Sequence, residues 1–141
     1  MIKIFDLKEQ YKQFGSIMDK KILNILSSGN YILGKNVTAF EEKTRDYLKS
    51  KYTISCNSGT DALVLSLRAL GIQSGDEVIT TPFSYFATAE SISLTGAKPV
   101  FADINPHTYN INPKNIPNLI TKKTKAILSV NLFGQACELD K

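Results

Sequence analysis

The stretch EVITTPFSYFATAESISLTGAKPVFA, Glu77 to Ala102, decides the fold. Glu77–Thr81 is a short run rich in β-branched residues, the kind that fits the pleated surface of a strand. Phe86–Thr95 then takes up helical spacing and stops at Gly96, the residue type that most easily adopts the left-handed conformation at a helix end. Pro99–Ala102 is a second short run of strand character. Strand, helix and strand in so few residues form one βαβ crossover, and such a crossover joins parallel neighbours.

The same grammar extends in both directions. Tyr52–Cys56 alternates as a strand, and Thr60–Leu70 is helical and stops at Gly71. Beyond the central unit, Asn115–Thr121 reads as a short helix and Ala126–Val130 as a further strand. The order βαβαβαβ predicts an α/β fold with a mostly parallel sheet and helices on both faces. Ligands of such sheets sit beyond the carboxyl ends of the strands. Ahead of this domain, Ile17, Met18, Ile22, Ile25 and Leu26 form one apolar helical stripe, broken by Ser28-Gly29-Asn30. Val37, Phe40, Thr44, Tyr47 and Leu48 form a second, with charged residues between them. The expected organisation is therefore an N-terminal helical segment over residues 1–51 and an α/β domain over 52–141.

Composition narrows the function classes. With 141 residues, 43% of them hydrophobic and 21% charged, the chain is long enough to bury a core without metal or disulfide staples. Cys56 and Cys137 show no metal-ligand spacing, and the single histidine, His107, is distant from both, so no metal site is expected. Met1–Asp6 contains no apolar leader, and no apolar run approaches the ~18–20 residues a membrane span needs. A cytoplasmic location is expected. The net charge of +4 comes from scattered lysines rather than from one basic face, which argues against a nucleic-acid or membrane partner.

Several segments carry candidate chemistry. Asn57-Ser58-Gly59-Thr60-Asp61-Ala62-Leu63 stands where a strand gives way to a helix, so free amides and the helix dipole favour an anion there. The plainer reading is that Asn57 or Ser58 caps the helix. Thr80–Thr88 occupies the next strand-to-helix junction, where one of Phe83, Tyr85 and Phe86 has the chance to stack on a flat ring, or all three pack in the core. Gly29–Gly34 is either a turn or a substrate loop. Asn131–Gln135 ends the last strand, with polar side chains that point into the crevice or only close a turn. The Asn105–Pro113 stretch reads as a loop, and Asp103 touches the crevice or caps a turn.

Taken in order, these blocks resemble the N-terminal part of the DegT/DnrJ/EryC1/StrS family of pyridoxal-phosphate-dependent sugar aminotransferases. The resemblance is carried by Ser28–Gly34 with Phe40-Glu41, Asn57–Leu63, Ala69–Ile72 with Gly75–Ile79, Pro82–Ala89, Gly96–Phe101 and Leu132–Gln135. It implies the large domain of a fold-type-I transferase, homodimeric when complete, that moves an amino group from glutamate to a nucleotide-linked keto-sugar. It further implies that the cofactor phosphate rests on Ser58, Gly59 and Thr60, and that Tyr85 stacks on the cofactor ring. Gly29, Tyr31 and Leu33 match a segment near the sugar. The family's Schiff-base lysine and the aspartate facing the pyridine nitrogen match no segment up to Lys141, so no catalytic residue is assigned and the 141-residue chain by itself is expected to be inactive. Asn131 stands where many members carry histidine. A second reading also follows: a noncatalytic remnant, or half of a split enzyme, that binds a phosphate-bearing ligand or a partner chain.

Overall fold

The structure, a computed structural model, describes Lys3 and residues 5–141. The backbone divides into two compact units, Met1–Ser55 and Cys56–Lys141. The expected division lay after residue 51. Tyr52–Ser55 group instead with the N-terminal unit, where Ser55 donates from its N–H and its hydroxyl to Glu41 Oε1 at 2.7 and 2.8 Å.

The N-terminal unit is built from two helices. Helix α1, Leu7–Ser28, begins where the Asp6 carboxylate accepts from the N–H groups of Lys8 and Glu9, and ends where Gly29 adopts φ 69°. Helix α2, Lys35–Leu48, follows without a side-chain cap. Their apolar stripes stay mostly exposed, with Ile25, Val37 and Thr44 half-buried: Gly15 is the one buried residue of α1, and α2 has none. The expected strand at Tyr52–Cys56 does not form. A strand exists only by pairing, and these residues have no ladder partner among the described residues; their polar groups turn to Ser50 and Glu41 instead.

The C-terminal unit holds the sheet. Its elements are α3 (Gly59–Ala69), β1 (Glu77–Thr80), α4 (Ala87–Leu94), β2 (Lys98–Phe101) and β3 (Thr124–Ile127). The strand order is β2-β1-β3 and both pairings are parallel. Successive side chains of a strand point to opposite faces, so Val78 and Ile79, both 0% exposed, seed two separate cores. Val78 packs with Leu67, Ile72, Ile92 and Ala97 beneath α3 and α4. Ile79 packs with Ala102 and Ile111, and Ile116 and Leu119 close over them. This second face is covered by two 3-10 turns, Pro113–Asn115 and Pro117–Leu119, where the sequence suggested a short helix. The two prolines, each at a first position, allow a turn to start but interrupt the continuous hydrogen bonding an α-helix requires.

Candidate functional site

Parallel strands bring all their carboxyl ends to one rim, so Thr81–Phe86, Ala102–Asn112 and Leu128–Gln135 leave the sheet side by side. Helices α3 and α4 pack on each other, and Arg68 near the end of α3 donates to Leu94 O near the end of α4 at 3.4 Å. With their carboxyl ends together, both helix N-termini point toward this rim.

Ser58 is the cap of α3. Its hydroxyl accepts from Asp61 N at 3.1 Å and donates to the Asp61 carboxylate at 2.8 Å. The capping reading is thus realised, and it ties down the one acidic group of the first turn. The N–H groups of Gly59 and Thr60 have no partner among the described residues. A Cβ built on Gly59 would meet nothing within 4 Å, so the surface at the side-chain position of the helix's first residue is open. Two free donors at the positive end of an 11-residue helix suit a phosphate.

On the neighbouring connection the three aromatics separate into distinct roles. Phe83 is stacked on Tyr109 with ring centroids 5.8 Å apart. Tyr85 is 80% exposed and Phe86 sits at the start of α4, also exposed. The backbone beneath Tyr85 is fixed, because Thr88 N donates to Tyr85 O at 3.0 Å and the Ser84 and Thr88 hydroxyls meet at 2.8 Å. Thr80, fully buried, donates its hydroxyl to Leu128 O at 2.8 Å and holds the roots of two rim loops together.

Gly29, Tyr31 and Leu33 lie in the other compact unit. They form the link between α1 and α2, with Gly29 and Leu33 at positive φ and the Tyr31 hydroxyl donating to Leu26 O at 3.0 Å. Asn131 turns inward to its own loop, its carboxamide oxygen accepting from Cys137 N at 2.9 Å. Asp103 caps locally, accepting from Ile104 N, and His107 is an exposed loop residue. Among the described residues no cluster of three histidine, cysteine, aspartate or glutamate side chains is placed to hold a metal ion.

The residue whose role the sequence did not reveal is Asn110. It is 4% exposed, and its carboxamide bonds Leu132 N, Gln135 O and Ala136 O. In the sequence it was one asparagine among several in a turn-rich loop. Its one signal was adjacency to Ile111, which anchors in the core.

The sequence profile of the DegT/DnrJ/EryC1/StrS aminotransferase family matches residues 14–141. The UDP-2-acetamido-2-deoxy-3-oxo-D-glucuronate aminotransferase of Pseudomonas aeruginosa is 48% identical over 140 residues, 99% of this chain and 39% of its own length. Among solved structures, DesV of Streptomyces venezuelae superimposes with a TM-score of 0.94 at 36% identity, over 99% of this chain and 38% of its own. NtdA of Bacillus subtilis, solved with bound cofactor PMP, gives 0.83 at 37% identity, over 86% of this chain and 28% of its own. The chain spans about two-fifths of the length of the relatives it matches over nearly all of its own residues. Among the described residues no helix is long and apolar enough to cross a membrane.

Proposed function

This chain belongs to the DegT/DnrJ/EryC1/StrS aminotransferase family, and from that membership we propose that it is the N-terminal part of a pyridoxal-phosphate-dependent sugar aminotransferase. The enzyme transfers an amino group from glutamate to a nucleotide-linked keto-sugar in amino-sugar or surface-polysaccharide biosynthesis, as a cytoplasmic homodimer. The observation that carries the reading is identity of 48% over 140 residues to an aminotransferase named for a UDP-linked 3-oxo sugar.

The residues present fit the cofactor's phosphate. Gly59 and Thr60 supply two free N–H donors, the dipole of α3 adds positive potential, and Ser58 both ends the helix and restrains Asp61 from the approach of an anion. Tyr85, exposed at the rim on a hydrogen-bonded backbone, supplies a flat face for the cofactor ring. Bound pyridoxal phosphate supplies the electron sink that lets an amino group pass between carbon skeletons. The residues of this chain would hold and orient it; none of the chain's lysines lies in a segment that matches the family's Schiff-base lysine. Gly29, Tyr31 and Leu33 contribute to the sugar side.

The test is an amination assay on the native protein with pyridoxal phosphate, glutamate and UDP- and dTDP-linked keto-sugars, read by mass spectrometry of the sugar. Conversion of a keto group to an amine with release of 2-oxoglutarate is expected. The 141-residue chain alone is expected to be silent. No transfer by the native protein to any of these sugars overturns the reading.

A further inference from the structure

One loop residue at the rim is held where its backbone does not want to be. Phe133 takes φ 54° and ψ 21°, a conformation that bulky residues avoid. It is 89% exposed, so its own packing does not keep it there. Outliers of this kind persist only when the surroundings over-determine them, and they gather at functional sites.

Besides the loop's own bonds, Leu132 N to Val130 O, Gly134 N to Asn131 O, Gln135 N to Leu132 O and Cys137 N to Asn131 Oδ1, the restraint from a neighbouring connection is Asn110. Its Oδ1 accepts from Leu132 N at 3.3 Å, just before Phe133, and its Nδ2 donates to Gln135 O at 3.1 Å and Ala136 O at 3.0 Å, just after. One buried carboxamide thus grips the loop on both sides of the strained residue. Asn110 is itself immobile: Asn105 N donates to its carbonyl at 2.9 Å, and the next residue, Ile111, is locked in the core with Ile79 and Ala102. The residue before it, Tyr109, stacks on Phe83. Phe83 and Phe133 both line the same recess, with Pro82, Ser84 and Leu132. Two adjacent residues of the Ala102–Asn112 connection therefore fix its two sides.

We infer that Asn110 is a positioning residue: by clamping Leu132–Ala136 it holds Phe133 as one wall of a recess, opposite Phe83, that seats the sugar ring of the amino acceptor. A pyranose has an apolar C–H face and a hydroxylated edge. Pro82, Phe83, Leu132 and Phe133 offer apolar walls to the C–H face, and Ser84, whose hydroxyl is shared with Thr88, is the one polar residue of the lining. This assignment of the recess rests on the aminotransferase reading, whereas the clamp does not.

The experiment compares native protein with Asn110→Asp, which keeps size and the acceptor but places a carboxylate against two carbonyl oxygens, and with Asn110→Ser as a second, uncharged variant. Hydrogen exchange of the amides from residues 132 to 137 is expected to quicken at least tenfold in both, while Val78–Thr80 changes less than twofold. A loop that exchanges at the native rate, or a rise equal throughout the sheet, overturns the clamp. In the amination assay the variants are expected to raise KM for the keto-sugar about tenfold with kcat within twofold and with unchanged absorbance of bound pyridoxal phosphate. A released loop with unchanged KM, or a loss confined to kcat, overturns the assignment of the recess. If the native protein aminates no sugar, the aminotransferase reading fails and with it the seating of the sugar; the exchange measurement still decides the clamp.

Discussion

The two compact units solve the same local problem with opposite results. Helix α1 is 22 residues long with one buried residue, Gly15, whereas α4 is eight residues long with four, Ala87, Thr88, Ser91 and Ile92. The apolar stripe of α1 is the better defined of the two, so patterning alone does not decide which helix is buried. The difference is the sheet: β1 presents Val78 to one side and Ile79 to the other, and whatever packs there is buried. Helical periodicity identifies an apolar face, but a neighbouring surface decides whether that face contributes to stability. The consequence for function is that the rim loops of the C-terminal unit stand on a packed base, while the Gly29–Gly34 link is held by local caps and the Tyr31 hydroxyl.

The largest expected effect tests that contrast directly. Ile79→Ala removes a fully buried side chain and is expected to cost about 2–5 kcal/mol, the range for core truncations. Ile17→Ala removes a side chain that is 60% exposed and is expected to change stability by less than about 0.5 kcal/mol. Urea unfolding followed by circular dichroism measures both. Equal losses would show that the apolar stripe of α1 is already packed in solution.

Next in size is the cap of α3. Ser58→Ala removes the acceptor of Asp61 N and frees the Asp61 carboxylate, at an expected cost of about 1 kcal/mol. It should also weaken phosphate binding, because an untethered carboxylate then stands near the two free amides. Unchanged phosphate affinity, measured by calorimetric titration of the native protein with inorganic phosphate, would separate the cap from the anion site.

A smaller effect separates the two units by ligand. Tyr85→Ala is expected to weaken cofactor retention by about 0.5–1.5 kcal/mol, the value of aromatic stacking beyond area burial. Tyr31→Ala, in the other unit, is expected to leave retention unchanged. Dialysis of the native protein loaded with pyridoxal phosphate, followed by absorbance, reads both. A Tyr85→Ala protein that retains cofactor normally removes Tyr85 from the ring site.

What the sequence disclosed, and what it did not, follows the same division. Glu77–Thr80, Ala87–Leu94 and Lys98–Phe101 were legible because two short strand-like runs flank a stretch of helical spacing that stops at Gly96, and the three agree as one crossover. The helix start at Gly59 was legible because Ser58 is a strong cap residue. Tyr52–Cys56 misled because alternation records a suitable surface, not the presence of a partner strand. Asn110 was silent for a related reason. Its importance lies in bonds to Leu132, Gln135 and Ala136, more than twenty positions away, and no local pattern encodes a contact at that separation.

The finest test falls on the tie that assigns Tyr52–Ser55 to the N-terminal unit. The Glu41 carboxylate accepts from Ser55 N and from the Ser55 hydroxyl, and these two bonds hold its pKa below the ordinary 4.5. A carboxyl group with a depressed folded-state pKa binds its proton more readily in the unfolded chain. Its contribution is therefore complete above about pH 4.5 and is lost as the pH falls through the depressed value. Native protein is accordingly expected to lose more stability across that acid window than Glu41→Gln, whose carboxamide does not titrate; melting curves from pH 6 down to about pH 3 make the comparison. Because this carboxylate is solvent-accessible, the difference between the two profiles is expected to be the smallest of the effects considered. Parallel profiles would mean that Ser55 is not held by Glu41 in solution, and Tyr52–Ser55 would then be a connector free of the N-terminal unit.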